Sequence, residues 1–159
     1  MVELTEGQIA PDFTMSVDGG GQVSLGDLKD KIVVLYFYPK DNTPGCTTEA
    51  IGFSQLEREF DAAGARVIGV SKDSVKKHDN FKAKHDLKVT LASDPDGRVV
   101  EDWGVWVEKT LYGRKYMGIE RATFVINRQG QIARIWRKVK VKGHADEVLE
   151  FVRSLSAEG

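Results

Sequence analysis

Ile32–Tyr38 (IVVLYFY) is an unbroken apolar run closed by Pro39, the pattern of a central strand buried on both faces. Ala65–Ser71 (ARVIGVS) repeats that pattern and predicts a second buried strand. Between them Phe53, Leu56, Phe60 and Ala63 recur at helical spacing until Gly64, which predicts one helix ending there. Asp73 or Ser74 then caps a helix running to about Asp86, and Val89–Ala92 is a short strand. Asp94-Pro95 reads as a cap and a first-turn proline that open a short helix toward Trp103. Near the start, DGGGQ (Asp18–Gln22) separates FTMSV from VSL and predicts a hairpin turn in which glycine supplies positive φ. Near the end, ATFVIN and QIARIWR flank Arg128-Gln129-Gly130 as an antiparallel hairpin. RKVKVK (Arg137–Lys142) alternates charge with valine and predicts a strand edge with solvated charges. The chain closes with a helix carrying Ala145, Val148, Leu149, Val152 and Leu155 on one face.

The order is hairpin, β-α-β-α, short strand and helix, then β-β-α. Successive parallel strands joined by helices imply right-handed crossovers. The expected fold is α/β, a thioredoxin-like three-layer sandwich with an N-terminal β-hairpin and an insertion before the closing hairpin, the segment from Val89 to Gly118. No repeat and no long linker divides residues 1–159, so one domain is expected.

Composition narrows the function. A net charge of −1, with lysine and arginine interleaved among acids, gives no bulk attraction to nucleic acid or anionic membrane. No stretch has the roughly 18 apolar residues of a membrane span, and MVELTEGQIAPDF has no signal-peptide core. The single cysteine excludes an internal disulfide and a cysteine-rich metal framework, and favours a cytoplasmic location. His78, His85 and His144 lack the spacing and company of zinc ligands, so no metal is expected. The acids show no paired-carboxylate spacing of the kind a glycosidase needs.

That cysteine, Cys46, lies just beyond the carboxyl end of the first central strand, where ligands bind in open α/β sheets. Thr43 stands at the cap, Pro44 first, Gly45 second and Cys46 third in the helix that follows. A thiol so placed faces free backbone N–H groups and the positive end of the helix dipole, which favour a thiolate. The bland alternative is a buried structural cysteine. Arg121 directly precedes ATFVIN, the strand read as antiparallel to the first, and so enters at the same sheet edge; its alternative is an ordinary charge at a strand entrance. Thr43 is either a simple N-cap or a hydroxyl shared with the thiolate and a substrate oxygen. Pro39 either shields the thiolate or merely stops the strand. Lys40 and Asp41 read as solvated, and Trp103 as core.

With Pro39, Thr43, Cys46 and Arg121 in place, the chain resembles a peroxiredoxin of the bacterioferritin-comigratory-protein or PrxQ branch. The resemblance rests on PKDNTPGC within YFYPKDNTPGCTTEA, on GVWVEKTLYGRKYMGIERATFVIN (Gly104–Asn127) and on GQIAPDF, and runs from about Gly7 to the final helix. It implies that Cys46 is the peroxidatic cysteine, attacking hydrogen peroxide or an organic hydroperoxide to give sulfenic acid. It further implies that Thr43 bonds peroxide and thiolate, that Arg121 stabilises the charge, that Pro39 closes the pocket, and that the N–H groups of Gly45 and Cys46 face the peroxide. Trp106, Tyr112 and Met117 would form an apolar rim for organic peroxides, and Glu49 would have helix-start or network duty. Ile51 occupies the position where many members carry a resolving cysteine, and FKAKHD the segment where others do. A one-cysteine enzyme is therefore expected, without cofactor, reduced by an outside thiol such as thioredoxin or glutaredoxin with glutathione. The branch implies a monomer or a weak dimer.

Two rival readings remain at this level. A thiol–disulfide oxidoreductase needs Cys-x-x-Cys, and Thr43 stands at its first position. A non-catalytic thioredoxin-like binding module or holdase chaperone needs no thiolate and would survive Cys46→Ser.

Overall fold

The structure, a computed structural model, describes residues 3–157. Strands β1 (Thr14–Val17) and β2 (Gln22–Ser24) form the expected first hairpin, with Met15 opposite Val23. Gly19 and Gly20 take φ of 84° and 97° in its turn, a region that costs glycine little. Strand β3 (Ile32–Phe37) is buried at every position. Helices α1 (Pro44–Gln55) and α2 (Glu57–Ala62) lead to β4 (Ala65–Ser71), which pairs parallel with β3 from Ile32↔Ala65 to Phe37↔Val70. Helix α3 (Val75–His85) leads to β5 (Thr90–Ser93), parallel to β4. After α4 (Arg98–Asp102), strands β6 (Trp106–Leu111) and β7 (Arg114–Ile119) form a separate two-stranded hairpin. Strands β8 (Ala122–Ile126) and β9 (Ile132–Trp136) return to the main sheet, and α5 (His144–Ala157) closes the fold. The sheet order is β2-β1-β5-β4-β3-β8-β9, with β8 antiparallel to β3.

Alternate side chains of β3 feed two cores, as a strand buried on both faces requires. On one side Ile32, Val34 and Tyr36 meet Phe53 of α1, Phe60 of α2 and Val148 of α5. On the other Val33, Leu35 and Phe37 meet Phe13, Val100 of α4 and Trp103. Helices therefore cover both faces of the sheet in the expected thioredoxin-like three-layer arrangement. Trp103 has no exposed surface and meets Phe124 edge-on at 5.0 Å, which makes it a core residue.

Four local expectations change. The helix expected through Ala63 breaks at Leu56, whose φ of −103° and ψ of 7° leave the α-region; the break lets Phe53 and Phe60 both face the sheet. The helix expected to open at Asp94-Pro95 begins only after Gly97. Asp94 still serves it, because its carboxylate accepts the N–H of Val100 at 2.9 Å. Arg137–Lys142 is not a strand edge: β9 ends at Trp136, and Lys138 with φ of 50° breaks the extended course. The β6–β7 hairpin is formed by residues assigned no strands from the sequence. Its turn residues Tyr112 and Gly113 both have positive φ, 51° and 78°, as two-residue hairpin turns of the mirror-image type demand.

Candidate active site

The chain leaves β3 at Phe37 and turns through Tyr38–Asn42 to enter α1. Thr43 has the extended dihedrals of an N-cap, Pro44 takes the first helical position, and the first helical hydrogen bond runs from the N–H of Thr47 to the carbonyl of Thr43 at 2.8 Å. Gly45 and Cys46 follow within the first turn, where N–H groups have no helical acceptor. Cys46 is buried, with 1% of its surface exposed.

Register brings the second component to the same edge. Phe37, the last residue of β3, pairs with Ala122, the first of β8, so the residue before β8 stands beside the start of α1. That residue is Arg121. Its Nη2 donates to Cys46 Sγ at 3.3 Å and its Nη1 to Glu49 Oε1 at 2.7 Å. The guanidinium lies against Gly45: a Cβ there would stand 3.2 Å from Nη2, so a side chain would push the guanidinium away. Glycine keeps the cation close to the sulfur.

Glu49, expected to have helix-start or network duty, takes the second as the partner of Arg121. Its side chain is 1% exposed, and burial raises its pKa to about 7 against the opposing pull of Arg121. Burial works against the charge of Arg121, but Glu49 and then Cys46 hold it above the ordinary arginine value. Beneath them Tyr36 is raised well above the tyrosine range by burial first, then by Glu49 and Cys46. Among the described residues the Tyr36 hydroxyl and Glu49 Oε2 have no hydrogen-bond partner. Gly69 of β4 makes room for that phenol, since a Cβ there would sit 2.6 Å from it. The site is thus a thiol, a carboxyl and a phenol around one guanidinium.

The other expected residues fall as follows. Thr43 is half-buried, and its hydroxyl donates to the carbonyl of Lys40 at 2.8 Å. It makes no side-chain cap, so the simple N-cap reading fails. Pro39 is exposed one residue beyond buried Tyr38. Asp41 is not solvated as expected: its carboxylate accepts the Tyr38 hydroxyl and lies 2.6 Å from Nδ1 of buried His78, whose Nε2 donates to the carbonyl of Ala92 at 2.8 Å. This pins the loop before α1 to α3, a pairing across 37 positions that no local spacing could signal.

The three residues expected to form a rim, Trp106, Tyr112 and Met117, all lie on the β6–β7 hairpin. Tyr112 stands 96% exposed at the hairpin turn. Trp106 and Met117 share the hairpin face opposite Lys109, by the register Trp106↔Ile119, Glu108↔Met117 and Lys109↔Tyr116. Trp106 packs on the core and carries Lys72 Nζ over its ring at 4.2 Å. Burial and Arg121 hold Lys109 below the ordinary lysine value, while Cys46 pulls it back.

The AhpC/TSA family model matches residues 7–135. A putative peroxiredoxin Bcp of Coxiella burnetii is 54% identical over 148 residues, covering 93% of this chain and 98% of its own length. Peroxiredoxin Bcp of Bacillus subtilis is 48% identical, covering 94% of this chain and 96% of its own. Among solved structures, a cysteine-to-serine mutant of Xylella fastidiosa PrxQ superposes with a TM-score of 0.92 at 40% identity, over 97% of this chain and 98% of the other. The bacterioferritin comigratory protein of Xanthomonas campestris, described for its alkyl peroxide reduction activity, gives 0.86 at 47% identity, over 91% of this chain and 92% of the other.

Proposed function

The chain belongs to the AhpC/TSA family and is a peroxiredoxin, a thiol-dependent peroxidase, and we propose that Cys46 is its peroxidatic residue, served by Arg121, Thr43, Pro39 and the N–H groups at the start of α1. The observation that carries this reading is the guanidinium Nη2 at 3.3 Å from Sγ in the first turn of a helix. The sulfur thus has a cation on one side and helix N–H groups on the other, where negative charge on the reacting atoms is stabilised.

The thiolate attacks the terminal oxygen of hydrogen peroxide or an organic hydroperoxide, ROOH, in line with the O–O bond. The S–O bond forms as the O–O bond breaks, and the departing RO⁻ takes one proton to leave as ROH. Sulfur ends as the sulfenic acid, oxidised by two electrons, while the peroxide is reduced by two. Arg121 and the N–H groups of Gly45 and Cys46 face the charge that builds on the oxygens, where fixed donors act without reorganising. The Thr43 hydroxyl exchanges the Lys40 carbonyl for a peroxide oxygen, and Pro39 closes the pocket against water.

No second cysteine exists in the chain to condense with the sulfenic acid. An outside thiol R′SH displaces water from it to form a mixed disulfide, and a second thiol releases Cys46 and leaves R′S–SR′. Thioredoxin, or glutaredoxin with glutathione, is the reductant this chemistry calls for, and a compartment that keeps thiols reduced, the cytoplasm, is the location. Reduced protein given one equivalent of peroxide and then a sulfenic-acid trap tests the scheme by mass spectrometry. Cys46 carries the trap; an intersubunit disulfide as the main product refutes the one-cysteine cycle.

A further inference from the structure

Among the described residues five large apolar side chains stand exposed, and four of them, Leu111, Tyr112, Tyr116 and Met117, belong to the β6–β7 hairpin. Single exposed apolar residues need no explanation, but a cluster marks an interaction site. The two faces of the hairpin differ in chemistry. Cross-strand partners share a face, so Lys109 and Tyr116 lie with Leu111 and Arg114 on one side. Gly118 sits on that side too, and a Cβ there would stand 3.3 Å from both the Lys109 stem and the Tyr116 ring, so glycine lets those side chains lie across the face. On the other side Glu108 and Lys115 pair at 3.7 Å, and Trp106 turns into the core. The first face therefore carries two cations and no acid beside half-exposed Leu111 and Tyr116, whereas the second is balanced in charge. Strand β7 ends at Ile119, two residues before Arg121, so the base of the hairpin borders the site.

We propose that this face, built on Leu111, Tyr116, Lys109 and Arg114, is the docking surface for the protein that reduces the Cys46 sulfenic acid, a thiol protein whose reactive thiol is set in an apolar surface bordered by acids. The inference rests on the reading that an outside thiol resolves Cys46. Apolar contact supplies the adhesion, and the two cations, without an acid on their own face, select an acidic border and steer the encounter. A second copy of this chain fits less well, because the same two cations would meet one another across a symmetric contact.

Two neighbouring charge reversals test the surface. Arg114→Glu lies on the proposed face, and Lys115→Glu on the opposite one. Peroxide turnover is followed with thioredoxin, thioredoxin reductase and NADPH, and separately with dithiothreitol. Arg114→Glu and the double variant Leu111→Ser/Tyr116→Ser raise the KM for thioredoxin by about tenfold or more. Lys115→Glu stays within about twofold, and dithiothreitol-driven turnover stays within about twofold for every variant, as expected of rim charges away from the contact. Equal effects of Arg114→Glu and Lys115→Glu, or parallel loss of dithiothreitol turnover, overturn the proposal. So does a wild type that turns over with dithiothreitol but with neither thioredoxin nor glutaredoxin, or a wild-type dimer that the double variant dissolves in sedimentation. A wild type that consumes no peroxide even with dithiothreitol sinks the peroxidase reading itself.

Discussion

Arg121→Ala removes two hydrogen bonds at once, the one to Cys46 Sγ at 3.3 Å and the one to Glu49 Oε1 at 2.7 Å. Loss of a fixed donor to developing negative charge costs about 2.7–4 kcal/mol, or two to three decades of rate. The Arg121 side chain is 18% exposed, so water partly fills its place and the lower end applies. The expected fall in the second-order rate with hydrogen peroxide is about a hundredfold. The fold should survive the change, because Glu49 already titrates at about 7 and is pushed up further once the guanidinium is gone. It then rests neutral rather than as an unpaired buried anion. Arg121→Lys recovers part of the loss: an ammonium keeps the charge but cannot hold sulfur and carboxylate in one planar fork. Stopped-flow consumption of peroxide by the reduced proteins gives the rates. Ultraviolet absorbance of the thiolate, read in parallel, separates loss of the nucleophile from loss of transition-state stabilisation. An Arg121→Ala rate within about threefold of wild type would refute the reasoning, since no donor of this kind is worth so little.

Further expectations follow from neighbouring contacts. Thr43→Val keeps the shape but loses the hydroxyl that now donates to Lys40, and should slow peroxide attack about tenfold, with Thr43→Ser much milder; equal rates for valine and serine variants in the same assay count against the role. Gly45→Ala places a Cβ 3.2 Å from Arg121 Nη2 and should lower the peroxide rate several-fold while leaving the thermal midpoint nearly unchanged; a large loss of midpoint would show the contact to be structural instead. Burial holds Glu49 at about 7, above its ordinary 4.5, so the folded chain binds the extra proton between those values and loses stability as pH rises through them. His144, held by burial at about 4 rather than 6.5, slopes the other way, losing stability as pH falls through that window. Glu49→Gln removes only the first slope, so its urea midpoint should climb with pH from 4.5 to 6.5 more steeply than wild type; superimposable profiles reject the assignment.

The sequence makes legible whatever local pattern controls. The unbroken runs at Ile32–Tyr38 and Ala65–Ser71 become β3 and β4, because strands buried on both faces leave no polar alternation to confuse the reading. The meeting of Arg121 and Cys46 is legible through topology, since the first residue of an antiparallel strand must share an edge with the last of its neighbour. What depends on distant partners is not. The Asp41–His78 pair forms only when α3 packs beside the loop before α1, and Asp41 alone looks like a surface acid. Glu49 looks like a helix-start residue until Arg121, 72 positions away, comes beside it. The β6–β7 hairpin escapes because most of its residues are partly or wholly exposed, so burial imprints no alternation, and its turn uses Tyr112 where asparagine or glycine would have announced it. The broken helix at Leu56 keeps its apolar spacing across the break, so periodicity reads straight through it.

The most direct measurement compares reduced wild type with Cys46→Ser, each mixed with a small excess of hydrogen peroxide. Wild type should consume one equivalent in a single fast phase and yield one sulfenic acid per chain, located at Cys46. The serine variant should consume none beyond the buffer rate while keeping the same fold by circular dichroism. Peroxide loss at equal rates in both proteins, or a wild type whose sulfur stays unoxidised, would contradict the claim that this thiol, held by Arg121 at the start of α1, performs the chemistry.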